Sequence, residues 1–281
     1  MTRDHTIFIQ SQCLPWTADG LGAVHAGLES RLLSGDPATG AATLLLQIPA
    51  GWRRTDSYYL SALEEFYVLD GELTIGTQHY AAHTYACLAA GRLRGACHSE
   101  RGAVVLAMYA AHPELHVAAS PASFYDPALD VPYHNAYAQG LEGWQKNRHT
   151  RYLVGTGVQT LREDPVTREI TILYSALPFR FMEKRWTHQH VQEMYVLAGE
   201  YSINDVGVMR PGAYAWWEPE HLHGPYGSLS GFMMLIRSCG GPLENVIPDE
   251  RVVVDYNAPY LPVLPPAMAA LAHPTNSLRA W

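Results

Sequence analysis

The feature that most restricts this chain is that much of it is written twice. Asp36-Pro37-Ala38-Thr39 returns as Asp164-Pro165-Val166-Thr167, and EFYVLDG (65–71) returns as EMYVLAG (193–199). Both matches are displaced by the same 128 residues, with no gap. Arg92-Leu93-Arg94-Gly95 then aligns with His221-Leu222-His223-Gly224 after one inserted residue in the second copy. Separate motifs keep one register when a whole unit has been duplicated, so a chain of 281 residues is expected to fold as two like units in tandem.

The units read as all-β. TLLLQI (43–48), EEFYVL (64–69), AVVLAMYA (103–110), EITILYS (169–175), QEMYVL (192–197) and GFMMLIRS (231–238) are short apolar or β-branched runs, separated by Gly, Pro, Asn and Asp. Such runs at steady intervals indicate a sandwich or barrel. No long helical period is evident. The expected division is a first barrel over 1–115, a linker over 116–150 with a short helix near LEGWQK (141–146), and a second barrel over 151–240. A proline-rich tail over 241–281, with a brief helix at PPAMAALA (265–272), packs back on the barrels.

The copies differ where chemistry could reside. The second contains WTHQHVQEMYVLAGEYSINDVGVMRPGAYAWWEPEHLHG (186–224). Alternate residues of a strand share a face, so His188 and His190 point the same way, about 7 Å apart at their origins. A strand returning from a hairpin can bring in His223 as a third imidazole, and first-row metals accept imidazole readily. In the first copy these positions are Leu60, Ala62 and Arg94, so that copy is expected to hold no transition metal. Arg94 then has two readings: a buried partner for Glu64 or Glu65, or a fork for a ligand carboxylate. The first copy is expected to serve stability and dimer contacts.

The order His-x-His, an acid or amide, Gly199, Pro211-Gly212, Pro219 and His223 resembles the two conserved motifs of the cupin superfamily. That resemblance implies two tandem double-stranded β-helix, or jelly-roll, barrels with few short helices: a bicupin. It also implies one divalent metal ion on His188, His190 and His223. The family's carboxylate position falls on Gln192, with the acid next door at Glu193. An unbroken strand puts Gln192 on the histidine face, and a bulge would put Glu193 there, so either is the fourth ligand. Asp-Pro-x-Thr before the first core strand resembles a subgroup related to the zinc-binding anti-sigma cupins, which includes dioxygenase-like members. The activity implied is a mononuclear Fe(II) dioxygenase acting on a small aromatic or ketone substrate with O₂. Zn, Mn or Ni as the ion would suit a non-oxidative isomerase, lyase or decarboxylase, with Glu193 or Tyr195 moving the proton. A binding or regulatory barrel without turnover is the third reading. Trp186, Tyr214 and Trp216 are expected to wall the substrate, with Arg237 as a clamp for an anion and His221 either beside the ligands or at the surface.

Composition closes off other classes. A net charge of −8, with no basic stripe, argues against nucleic acid or an anionic membrane as partner. No apolar run approaches 20 residues, and the first residues lack the apolar core of a leader, so a cytoplasmic protein is expected, as a homo-oligomer. Cys13, Cys87, Cys97 and Cys239 show no C-x-x-C spacing and are expected to be reduced, with Cys87 and Cys97 the one conceivable pair. Phosphate-binding loops, dinucleotide fingerprints and nucleophile elbows are absent from the sequence.

Overall fold

A computed structural model describes residues 3–18, 22–138, 144–146, 155–248, 250–259 and 279–281. The chain divides into two compact units, Met1–Asp4 with Pro15–Gln139, and His5–Leu14 with Gly140–Trp281. Among the described residues the helices are three single turns of 3₁₀ type, Ser11–Cys13, Gly22–His25 and Pro127–Leu129; almost all else that is regular is strand.

In the first unit the main path of antiparallel strands runs Val131–Asn135, Thr84–Leu88, Glu64–Ile75, Ala103–Tyr109, Ala42–Ile48, Glu29–Gly35. The second half of the long strand Glu64–Ile75 pairs with Gln78–Ala81 and Cys97–Ser99, so one strand serves two sets of neighbours. Gly71 permits the change of course. Its φ is +71°, and a Cβ there would lie 2.0 Å from the Gly102 carbonyl oxygen. Leu44, Leu46, Phe66, Val68, Val105 and Ala107 alternate onto the inner face and form the core.

The second unit repeats the plan. Its larger sheet runs Thr6–Gln10, Ala213–Trp217, Val191–Gly199, Phe232–Cys239, Ile170–Ala176, Thr156–Glu163, Gln145–Lys146, and its smaller one Arg180–Met182, Tyr226–Ser228, Tyr201–Ile203, Gly207–Met209. Ile170–Ala176 is Ala42–Ile48 displaced by 128 residues, and the isolated bridge Trp186–His223 matches Tyr58–Arg94. Gly199 matches Gly71, with φ +72° and 2.0 Å from its hypothetical Cβ to the Gly231 oxygen. It ends a strand beside a register shift at Val196/Ala198, next to a bulge. Asp-Pro-x-Thr is also explained. Asp36 accepts from the amides of Ala38 and Thr39, and Asp164 from those of Val166 and Thr167, so each motif is a side-chain-stabilised turn.

The structure departs from the sequence-based division in four places. Residues 5–14 lie in the second unit, where Thr6–Gln10 pairs with Ala213–Trp217 and Phe8 is fully buried. The stretch expected as a linker contributes Val131–Asn135 to the first unit's sheet, where Val131, His134 and Asn135 pair with Cys87, Tyr85 and Thr84. Gln145–Lys146 is strand, not helix; residues 141–143 lie outside the described residues, as does 265–272. Beyond position 240, Asn245–Val246 still pairs within the second barrel. All four cysteines are buried thiols. No described helix is long and apolar enough to cross a membrane.

Candidate functional site

The second unit encloses a cavity of about 80 Å³ lined by Trp186, His188, Gln192, Met194, Tyr226 and Asn245, among other, mostly apolar, residues. The period of two places these side chains. Gln192 and Met194 face inward, so Glu193 and Tyr195 face the other way. Cross-strand partners follow the same parity: Gln192 is opposite Trp217, and Glu193 is opposite Trp216.

Three buried acceptors meet here without hydrogen-bond partners: His188 Nε2, His223 Nε2 and Gln192 Oε1. The residues are 4%, 1% and 6% exposed, so water does not readily substitute. His188 and Gln192 border the cavity itself; the His223 ring lies just behind, 5.1 Å from that of His188 centroid to centroid and flanked by Trp186 and Trp217 at 4.6 and 4.4 Å. Each imidazole is held from its other nitrogen. His188 Nδ1 is 3.2 Å from the Glu244 carbonyl oxygen and His223 Nδ1 is 2.8 Å from that of His221. A carbonyl only accepts, so Nδ1 carries the proton in both rings and Nε2 presents a lone pair. Burial pushes His188 down to about 4, against smaller raising effects of the Glu244 carbonyl and the neighbouring Gln192 amide. Burial, with His188 close by, pushes His223 well below its ordinary value. Both rings are therefore neutral near pH 7, the form that binds a metal.

A metal ion fits this set of donors: two lone pairs and an amide oxygen, all dehydrated and unsatisfied, with each imidazole oriented by a carbonyl. His190 does not join them. The strand Thr187–His188 stops, residues 189–190 form a bend, and the next strand begins at Val191, so the alternation linking His188 to His190 is broken. The His190 ring stands over Gly241, where an added Cβ would lie 2.4 Å from its Nε2. Among the described residues no group of three or more His, Cys, Asp or Glu side chains gathers as a metal cluster, since the third donor is an amide.

Several expected site residues lie on the opposite face. Glu193 accepts from Tyr214 Oη at 2.8 Å and from Arg237 Nη1 at 2.6 Å, all three residues being buried. The first copy repeats part of this arrangement as Tyr85 donating to Glu65 at 2.6 Å, which marks a structural pair and not a catalytic acid. Arg237 is thus committed to Glu193 and is no clamp in the cavity, and Trp216 packs on that same outer side. Tyr195 donates to the Ala280 carbonyl and lies 3.2 Å from Ser11 Oγ. His221 supplies its backbone carbonyl to His223, while its ring packs 4.5 Å from that of His5.

Asn245 and Leu243 line the cavity unforeseen. A signal for them exists in the sequence. Pro113-Glu-Leu-His-Val117 is echoed by Pro242-Leu-Glu-Asn-Val246, so the repeat runs past the second copy's expected end. Correspondingly Leu115–Val117 pairs with Tyr58–Leu60 as Asn245–Val246 pairs with Thr187–His188.

In the first unit, Arg94 donates through Nη1 to Glu64 Oε2, occupying the places matched by His223 and Gln192. The second carboxylate oxygen accepts from Tyr109 Oη at 2.7 Å.

No protein-family model matches the sequence, and no curated protein matches it closely. Solved structures do resemble it. A protein from Nostoc punctiforme described as a candidate dioxygenase aligns over 89% of this chain and 92% of its own, with TM-score 0.77 and 17% identity. Oxalate decarboxylase from Bacillus subtilis aligns over 86% of this chain and 78% of its own, with TM-score 0.54 and 12% identity. A cupin 2 conserved barrel domain protein from Leptotrichia buccalis overlaps more loosely, at TM-score 0.49 and 11% identity. At these identities the likeness is one of fold, and the duplicated strands, the shared register and the spans covered agree on it: in fold, the chain is a bicupin.

Proposed function

We propose that the second barrel is the centre of a mononuclear metal-dependent oxygenase, with His188, Gln192 and His223 holding a single divalent ion, Fe(II) in this reading. The observation that carries it is the convergence of three dehydrated acceptor atoms with no partner in one buried place. Two imidazoles and an amide bring no negative charge, so a dication held by them would not be neutralised by its protein donors. When bound, such an ion supplies redox chemistry with O₂ and polarises an oxygen of the substrate. The chain's own residues do the rest. The Glu244 and His221 carbonyls fix the imidazole tautomers. Trp186, Met194 and Tyr226 exclude water and offer a soft apolar wall for a small aromatic or ketone substrate. Tyr226 and Tyr174 share a hydrogen bond of 2.9 Å, and burial raises both hydroxyls, so they remain protonated donors.

Oxygenation is favoured over a proton-moving lyase or isomerase because no Asp or Glu borders the cavity among the described residues. The likeness to a candidate dioxygenase over most of both chains is consistent with this and carries fold alone. The test is elemental analysis of the purified protein with O₂ uptake under Fe(II), using 1,3-diketones, hydroxy ketones and phenols as substrates. Uptake that depends on both ion and substrate, and vanishes in His188→Ala, is expected. Turnover of the same substrates without O₂ would replace this reading by the lyase one, and a bound ion with neither reaction would leave a binding barrel.

A further inference from the structure

We propose that the first barrel, which lacks the histidines, binds a small monocarboxylate on the free edge of Arg94. Its cavity of about 60 Å³ is walled by apolar groups such as Leu46, Phe66 and Val105, and Arg94 and Glu64 both line it. Arg94 is 3% exposed. Its Nη1 is used by Glu64, while Nε and Nη2 are buried without a partner. Those two N–H groups lie on one edge of the planar guanidinium, parallel to each other, and match the two oxygens of a carboxylate. Glu64 does not itself fill that edge, because its other oxygen is taken by Tyr109 Oη at 2.7 Å, and Tyr109 is fixed in turn by His25 Nε2 at 3.0 Å.

Charge and size narrow the ligand. Among the described residues the cavity is lined by two guanidinium groups, Arg54 and Arg94, and one carboxylate, Glu64. Burial pushes His25 down to about 4, so that ring adds no charge at neutral pH. These described groups carry one excess positive charge, which a monoanion cancels and a neutral molecule leaves unbalanced. The volume admits about four waters, and so a carboxylate with a short alkyl tail against the apolar wall. Cys97 is the one thiol there among the described residues; burial raises it, so it stays protonated and the site binds without covalent chemistry.

The test uses the full-length protein stripped with EDTA, titrated calorimetrically with sodium propionate and, separately, with propionamide, at constant ionic strength set by sodium chloride. Propionate is expected to bind one per chain, and propionamide, isosteric and neutral, at least about tenfold more weakly. Arg94→Lys keeps a cation for Glu64 but offers no fork, and is expected to lose about the same factor. His188→Ala, in the other barrel, is expected to leave propionate binding unchanged. Equal binding of acid and amide, no saturable binding of propionate in the millimolar range, or loss of binding in His188→Ala would each overturn the assignment. The acid–amide comparison needs no variant and stands even where Arg94→Lys fails to fold. Because it is made without metal, its outcome is separate from that of the oxygenase reading.

Discussion

Replacing Arg237 by methionine asks whether Glu193, next to Gln192 in sequence but on the opposite face, is structural. The first copy already carries Met108 at the matching place. Arg237 is 8% exposed and Glu193 2%, and their ion pair measures 2.6 Å, with Tyr214 on the second carboxylate oxygen. Arg237→Met leaves a buried carboxylate without its charged donor. Breaking one side of such a pair costs about 3–5 kcal/mol, and the retained Tyr214 bond puts the expectation near about 3 kcal/mol. In a unit of this size that is about 6–12 °C in Tm. Adding Glu193→Gln removes the orphaned charge while keeping an acceptor for Tyr214, so the double variant should recover to within about 1 kcal/mol of the parent. Scanning calorimetry of the second unit's transition, with metal content measured in parallel, gives both readouts. Metal content should be unchanged throughout. If the single variant is as stable as the parent yet loses metal or turnover, or if the double variant is no better than the single, Glu193 is not a structural anchor.

Other outcomes follow from the same geometry. His190→Ala should retain the bound ion, whereas His188→Ala and His223→Ala should each lose it; elemental analysis distinguishes them, and loss in His190→Ala would restore the three-histidine set. The metal-free protein should lose stability as pH falls from 6.5 toward about 4, seen as a falling Tm across that window. The folded state holds His188 below its unfolded value, so the unfolded chain binds the extra proton and the contribution is fully present only above about 6.5. A Tm that does not change across that window would contradict the buried neutral ring. Gly199→Ala should cost about 2 kcal/mol or more by urea denaturation, from a left-handed backbone and a Cβ that meets the Gly231 oxygen; a neutral result would mean the bulge relaxes freely. Stripping the ion with EDTA should lower the Tm of the parent and leave that of His223→Ala unmoved, because a ligand that binds only the folded state stabilises by mass action.

The duplication and the β character were legible because they are properties of pattern. A fixed displacement survives sequence drift, and Gly71 with Gly199 is required wherever a Cβ would strike a carbonyl. The inward face of Gln192 was legible too, since it follows from a period of two within one strand. The same rule misplaced His190. His-Gln-His contains no Gly or Pro to announce the bend at 189–190, and the rule holds only while a strand continues. Tyr214 and Trp216 went to the wrong face for a related reason. Five aromatic or alanine residues at 213–217 show no alternation of polarity, and their parity is set by the partner strand. Asn245 lay in a repeat too faint to notice without the structure, and the pairing of residues 6–10 with 213–217 spans a separation no local pattern encodes.

That last pairing bears on how the molecule is made and cut. Gln10 amide reaches the Pro211 carbonyl, Trp217 Nε1 reaches that of Ile7, and Gln12 amide reaches that of Arg279. Translation therefore delivers an edge strand whose docking surface is synthesised some two hundred residues later. A C-terminal half expressed alone would emerge with an open flank and an indole missing its acceptor, prone to recruit a neighbour's strand. Dissecting the two halves cleanly requires grafting residues 5–14 onto the second one, not a single cut in the middle.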